Sequence, residues 1–176
     1  MWCYYNQADE VELFVNGKSQ GVKCKDADNL HAVWRVKFEP GTVKVVARRK
    51  DEVIAEKEIR TAGKPAEIRL TPDRPVLAAD GKDLCFVTVE VLDEEGNLCP
   101  NADNLVNFTV RGNGFIAGVD NGNPVSLERF KDKKRKAFYG KCLVVIQNDG
   151  KPGKAKLTAT SEGLRQAVLK ISAEEL

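Results

Sequence analysis

Short runs in which apolar and polar residues alternate fill this chain from one end to the other, and each is cut off by a Gly, Asn or Pro turn signal before any helical stripe can develop. Side chains on an extended backbone point to opposite sides in turn, so each run has one face for a core and one for water. Val11, Leu13 and Val15 share a side against Glu12, Phe14 and Asn16. Val43, Val45 and Ala47 do so against Lys44, Val46 and Arg48. Cys85, Val87, Val89 and Val91 form a third apolar face, and Leu157 and Ala159 a fourth, between Lys156, Thr158 and Thr160. The turn signals are Asn16-Gly17, Pro40-Gly41, Asp80-Gly81, Glu95-Gly96-Asn97, Asp149-Gly150 and Glu162-Gly163. Short strands at this spacing predict an all-β chain built as sandwiches. The series weakens at Thr61-Ala62-Gly63-Lys64-Pro65, where small residues and a proline favour an extended link. A smaller domain is therefore expected at 1–62 and a larger one at 63–176.

Pro100 to Ser126 is the most distinctive stretch. Val106, Phe108 and Val110 alternate with Asn107, Thr109 and Arg111, as in a half-buried strand. Gly112, Gly114, Gly118 and Gly122, with Asn121, Asn123 and Pro124, then predict a dense, rigid surface loop.

That stretch resembles the last domain of exported glycoside hydrolase family 2 β-galactosidases. T-A-G-K-P-A-E-I-R-L-T-P-D-R at 61–74, A-D-G-K-D-L-C-F-V-T-V-E-V-L-D at 79–93 and L-T-A-T-S-E-G-L at 157–164 carry the same resemblance. D-E-V-E-L-F-V-N-G-K-S-Q-G at 9–21, H-A-V-W-R-V-K-F-E-P-G at 31–41 and V-V-A-R-R-K-D at 45–51 resemble the domain before it. The resemblance implies two tandem immunoglobulin-like β-sandwich domains at the C-terminal end of a sugar-cleaving enzyme, without its catalytic barrel. It implies a periplasmic, extracellular or cell-surface parent, whose export signal would lie in the missing N-terminal part. The barrel and other domains of that parent are the partners it implies.

The residues themselves offer little chemistry. His31 is the only histidine, which excludes a histidine-rich zinc site, and no nucleophile is marked for it to activate. A glycosidase needs two carboxylates about 5 to 9 Å apart across a cleft. The 26 acidic residues here are scattered through turns and solvent faces. In the family resembled, both catalytic glutamates belong to the barrel, and no position here matches them, so no catalytic residue, cofactor or metal is expected. Asp120, Asn121 and Asn123 offer oxygen ligands but lack the spaced carboxylates and distal glutamate of a calcium loop, and read as a turn.

The run K-D-K-K-R-K at 131–136 reads as a solvated hairpin or packing edge, because no aromatics are interleaved to stack on bases. Twenty-eight basic against 26 acidic residues leave a net charge of +2, too balanced for a nucleic-acid or anionic-membrane partner. No apolar run reaches the length of a membrane span. The five cysteines lack C-x-x-C spacing and read as mostly free thiols, with Cys3–Cys24 as the one pairing to consider.

Two functions of different class follow. One is a non-catalytic support for the catalytic barrel. The other is a carbohydrate-binding module for galactose-containing glycans, in which Trp34 or Tyr139 stacks on a sugar beside the amides of Asn121 and Asn123. Trp34 shares its side of the strand with Val36 and Phe38, which favours burial. Trp2, Tyr4, Tyr5 and Phe14 are candidates for contact with neighbouring domains, or for the smaller domain's own core.

Overall fold

The computed structural model describes residues 1–24 and 31–175, and among these every regular element is a β-strand. The chain divides into two compact units, Met1–Thr61 and Ala62–Leu176.

The smaller unit contains β1 (Trp2–Tyr4), β2 (Glu10–Val15), β3 (Lys18–Cys24), β4 (His31–Val33), β5 (Thr42–Arg49) and β6 (Glu52–Arg60). β1 and β4 pair as a two-stranded ribbon, while the other four form a sheet in the order β3-β2-β5-β6. The alternation read in β2 and β5 sets the core: Val11 and Leu13, fully buried, meet Val43, Val45 and Ala47 from β5 and Ala32 and Trp34 from the ribbon side. Asn16 and Gly17 both take positive φ and join β2 to β3 through a two-residue turn, whose handedness suits the twist of the strands.

The larger unit is an immunoglobulin-like β-sandwich. Its strands are β7 (Glu67–Pro72), β8 (Val76–Ala78), β9 (Leu84–Leu92), β10 (Leu105–Gly112), β11 (Phe115–Asp120), β12 (Lys134–Lys136), β13 (Lys141–Gln147), β14 (Gly153–Thr160) and β15 (Ala167–Glu174). One sheet runs β12-β10-β14-β15-β8 and the other β11-β13-β9-β7. All neighbours are antiparallel except β15 and β8. Between the sheets lie Cys85, Val87 and Val89 of β9, Val106 and Phe108 of β10, Val144 and Ile146 of β13, and Leu157 and Ala159 of β14. On the water side, register aligns Arg69, Glu90 and Lys141 across three strands, and Glu90 accepts from both cations, at 2.7 Å and 2.9 Å.

Two features depart from the pattern-based reading. Phe115–Asp120, expected within the glycine-rich loop, is the edge strand β11, with a bulge between Ile116 and Gly118. Of the four glycines expected to relax the backbone there, Gly112 and Gly122 have positive φ; Gly114 and Gly118 are instead places where chain passes close by. Phe38, expected on Trp34's buried side, is 82% exposed, because the strand pairing of β4 stops at Val33.

All five cysteines are free. Cys85, Cys99 and Cys142 are buried, whereas Cys24, half of the pairing considered from sequence, is exposed.

Candidate functional site

Two charges are taken deep into the larger unit among the described residues, Asp93 and Arg135, and the second is held by the excursion between β11 and β12. Arg135 lies in the most basic stretch of the chain, yet alternation along β12 turns it inward between exposed Lys134 and Lys136, and it is only 1% exposed. A guanidinium removed from water must be repaid by fixed partners. Nη1 donates to the Glu128 carbonyl at 3.1 Å, and Nη2 donates to Asn121 Oδ1 at 3.0 Å and to Asp120 Oδ1 at 3.3 Å. Glu128 Oε2 lies 3.7 Å from Nε, and the Phe130 ring stands 5.2 Å from the guanidinium carbon. Nε itself is buried without a hydrogen-bond partner.

The same residues knit the loop together. Asn121 Nδ2 donates to the Lys136 carbonyl at 2.9 Å, and its Oδ1 also accepts the Asn123 N–H at 3.0 Å. Asn123 Oδ1 accepts from Val125 N–H at 3.1 Å. Glu128 accepts Lys136 N–H through Oε1 at 3.1 Å and the Ser126 hydroxyl through Oε2 at 3.2 Å. The Phe130 carbonyl accepts Val119 N–H at 2.8 Å, tying the loop to β11. Burial pushes the Cys142 thiol up to about 12; the Arg135 charge opposes that rise and Glu128 adds to it. That thiol is an inert packing group, not a nucleophile.

Tyr139 lies just beyond β12. It takes φ of 50° beside Gly140 at 77°, forming a two-residue turn between Phe138 and Lys141. A Cβ on Gly140 would run into the Cys99 carbonyl. The Tyr139 ring is 68% exposed and leans on Phe138, with centroids 4.4 Å apart.

The candidate sugar contacts therefore have different fates. Trp34 belongs to the smaller unit, where it is 4% exposed and its indole N–H donates to the Gly21 carbonyl at 3.1 Å. Burial against β2 and β5 leaves its ring no open face for a sugar. Asn121 and Asn123 share one loop, but the polar atoms a glycan would use are largely committed to the loop's own bonds. Tyr139 alone presents an open ring. Asp120 is likewise committed, to Arg135 and to the N–H groups of Asn121 and Gly122. Among the described residues no cluster of three His, Cys, Asp or Glu side chains is placed to hold a metal.

Glu12, Asp73, Asp80, Glu90 and Asp93 all have lowered pKa values. Asp93 is held at about 2, first by the Gly63 N–H at 2.7 Å and then by Asn97 and the Glu95 N–H. These groups are fixed as anions, the opposite of a proton-donating glycosidase acid.

In the smaller unit, His31 sits between Trp2 and Tyr4, with ring centroids at 4.8 Å and 5.0 Å. Trp2 and Tyr4 are 63% and 67% exposed, whereas Tyr5 packs against the core. Phe14 lines a shallow groove of about 380 Å³ on the sheet's outer face with Lys44, Val46, Arg48 and Glu56. Its charges are already paired, Lys44 with Glu56 at 2.7 Å and Arg48 with Glu12 at 2.9 Å.

Comparison with known proteins adds to this geometry. The family described as Glycoside hydrolase family 2 C-terminal domain 5 matches residues 68–170, and a domain of unknown function, DUF4982, matches residues 1–55. A β-galactosidase of Bacteroides ovatus is 89% identical across the whole of this chain, which covers 21% of that relative. A putative β-glucuronidase of Formosa agariphila is 32% identical over 92% of the chain and 16% of its own length. The solved structure of a glycosyl hydrolase family 2 member from Bacteroides cellulosilyticus matches 96% of this chain and 22% of its own, at a TM-score of 0.90 and 35% identity. A β-glycosidase from Bacteroides vulgatus matches 94% and 21%, at 0.90 and 30%. The chain thus spans about a fifth of the length of the curated relatives it matches. Sequence and fold agree that it belongs to the glycoside hydrolase family 2 C-terminal domain 5 family.

Proposed function

We propose that this chain is the non-catalytic accessory portion of a β-galactoside-cleaving glycoside hydrolase, supporting a catalytic barrel carried elsewhere on the same polypeptide. The observation that carries the reading is identity of 89% along its full length to a β-galactosidase of which it covers only 21%. The downward-shifted carboxylates support it, since none of those five is tuned to give up a proton to a leaving group at neutral pH. Supporting domains act by fixing the geometry of what they touch, which costs rate when lost even without chemistry of their own. The parent belongs, on this reading, in the periplasm, outside the cell or at its surface; recovery of the parent from the cytosolic fraction alone would contradict that placement.

Two assays on the purified chain test the role. With an aryl β-galactoside, no turnover is expected, and turnover abolished by substituting one of the chain's own carboxylates would overturn the reading. In calorimetric titration with galactose-containing oligomers, against an unrelated glucan as control, no saturation is expected at millimolar sugar. Galactan-specific saturation lost in Tyr139→Ala would make the chain a carbohydrate-binding module instead.

A further inference from the structure

The loop held by Arg135 has an outer side that the larger unit does not use. Ser126 and Glu128 turn inward to the bonds described above, while Val125 and Leu127 turn out, 80% and 99% exposed, and Phe130, whose ring stands by the Arg135 guanidinium, is still 63% exposed. The same segment carries five exposed cations, Arg129, Lys131, Lys133, Lys134 and Lys136. Apolar side chains at a mobile tip would fold back on one another or on the sheet; here a buried guanidinium and the Asn121, Asn123 and Glu128 side chains hold the backbone that presents them. Burying Arg135 costs desolvation, and the return on that cost is a loop of fixed shape.

A preformed apolar projection on a segment rich in exposed cations fits an apolar hollow edged by carboxylates. The related polypeptides supply a partner of sufficient size at high local concentration, since about four-fifths of their length lies outside the region this chain matches. The fold of the chain as a whole recurs within such a longer chain, at a TM-score of 0.90. We infer that Val125, Leu127 and Phe130 form a plug by which this chain docks onto an acid-rimmed apolar hollow in the remaining part of its own parent polypeptide. The inference rests on the accessory reading above and names the surface through which support is exerted.

The test compares amide hydrogen exchange across 121–134 in the 176-residue chain and in the full parent polypeptide. Slowing of about tenfold or more in the parent is expected. Leu127→Asp in the parent should restore the fast exchange; because Leu127 touches little within the chain, the same change should leave the melting temperature of the 176-residue chain unmoved. Equal exchange in chain and parent overturns the proposal. So does protection that appears in the chain alone as its concentration rises, which would make a second copy the occupant, or protection that requires anionic phosphatidylserine vesicles. Turnover by the isolated chain would sink the accessory reading, whereas unchanged exchange in a turnover-free chain sinks only the docking plug.

Discussion

Asp93 is 2% exposed and accepts N–H groups from Gly63, Glu95 and Asn97, so as an anion it ties the link at Gly63 to the turn at 95–97. Its pKa of about 2 lies below the ordinary 3.8, meaning the unfolded chain takes up the proton first as pH falls. The stability it contributes is fully present above about pH 4 and is lost as pH drops toward 2. Asp93→Asn should lower stability at pH 7 and flatten the loss between pH 4 and 2, read from urea midpoints. An unchanged acid slope would show that Asp93 is not the group responsible. Arg135 teaches a different lesson about residues. Its buried place cannot be inferred from K-D-K-K-R-K, where five like charges suggest water, because the deciding partners, Asp120, Asn121 and Glu128, come from a loop whose path the sequence does not reveal.

At the scale of elements, the turn between β5 and β6 breaks the rule that marked the others. Lys50 and Asp51 have φ of 51° and 66° without being Gly or Asn, and the Lys50 N–H donates to Asp9 Oδ2 at 2.9 Å. Placing Asn and Gly there, Lys50→Asn with Asp51→Gly, keeps that backbone bond and relieves the strain, for an expected gain of about 1 kcal/mol. A guanidinium midpoint for the smaller unit that does not rise would refute it. The strands themselves were legible wherever one face met a core: β2, β9, β10 and β14 show the alternation read from their residues. β11 was not, since its glycines look like turn punctuation until β13 pairs beside them and the bulge accommodates the mismatch. Val46 is buried on the face assigned to water. There Phe14 and the aliphatic stems of Lys44 and Arg48 line the groove with it, a covering that alternation alone does not anticipate. Of the candidate sugar contacts, burial of Trp34 followed from its apolar neighbours, but the internal use of Asn121 depended on Arg135 and that of Asn123 on Asn121 and Val125.

On the scale of the whole molecule, each unit carries its own core, and the two differ in size. The smaller unit relies on a few buried residues, among them Val11, Leu13, Ala32 and Trp34, while the larger has two full sheets to press together. A domain of about 60 residues buries only about 60% of its unfolded surface and is marginal alone. Leu13→Ala, at a fully buried position, should cost about 2 to 5 kcal/mol. Calorimetry should show that loss in an early transition belonging to the smaller unit, with the later one in place; a single transition shifted as a whole would reject independent cores.

The last strand of that smaller sheet carries a further consequence. Among the described residues β6 has β5 on one side and no sheet neighbour on the other, and all nine of its residues are exposed, including Val53, Ile54 and Ile59. Such an edge is a template for the next molecule. Glu52, Glu56, Lys57, Glu58 and Arg60 guard it, because each incoming copy must strip water from their charges before its backbone can pair. Neutralising that row of charges should open a path to polymerisation that leaves both cores intact, seen as light scattering that rises with concentration.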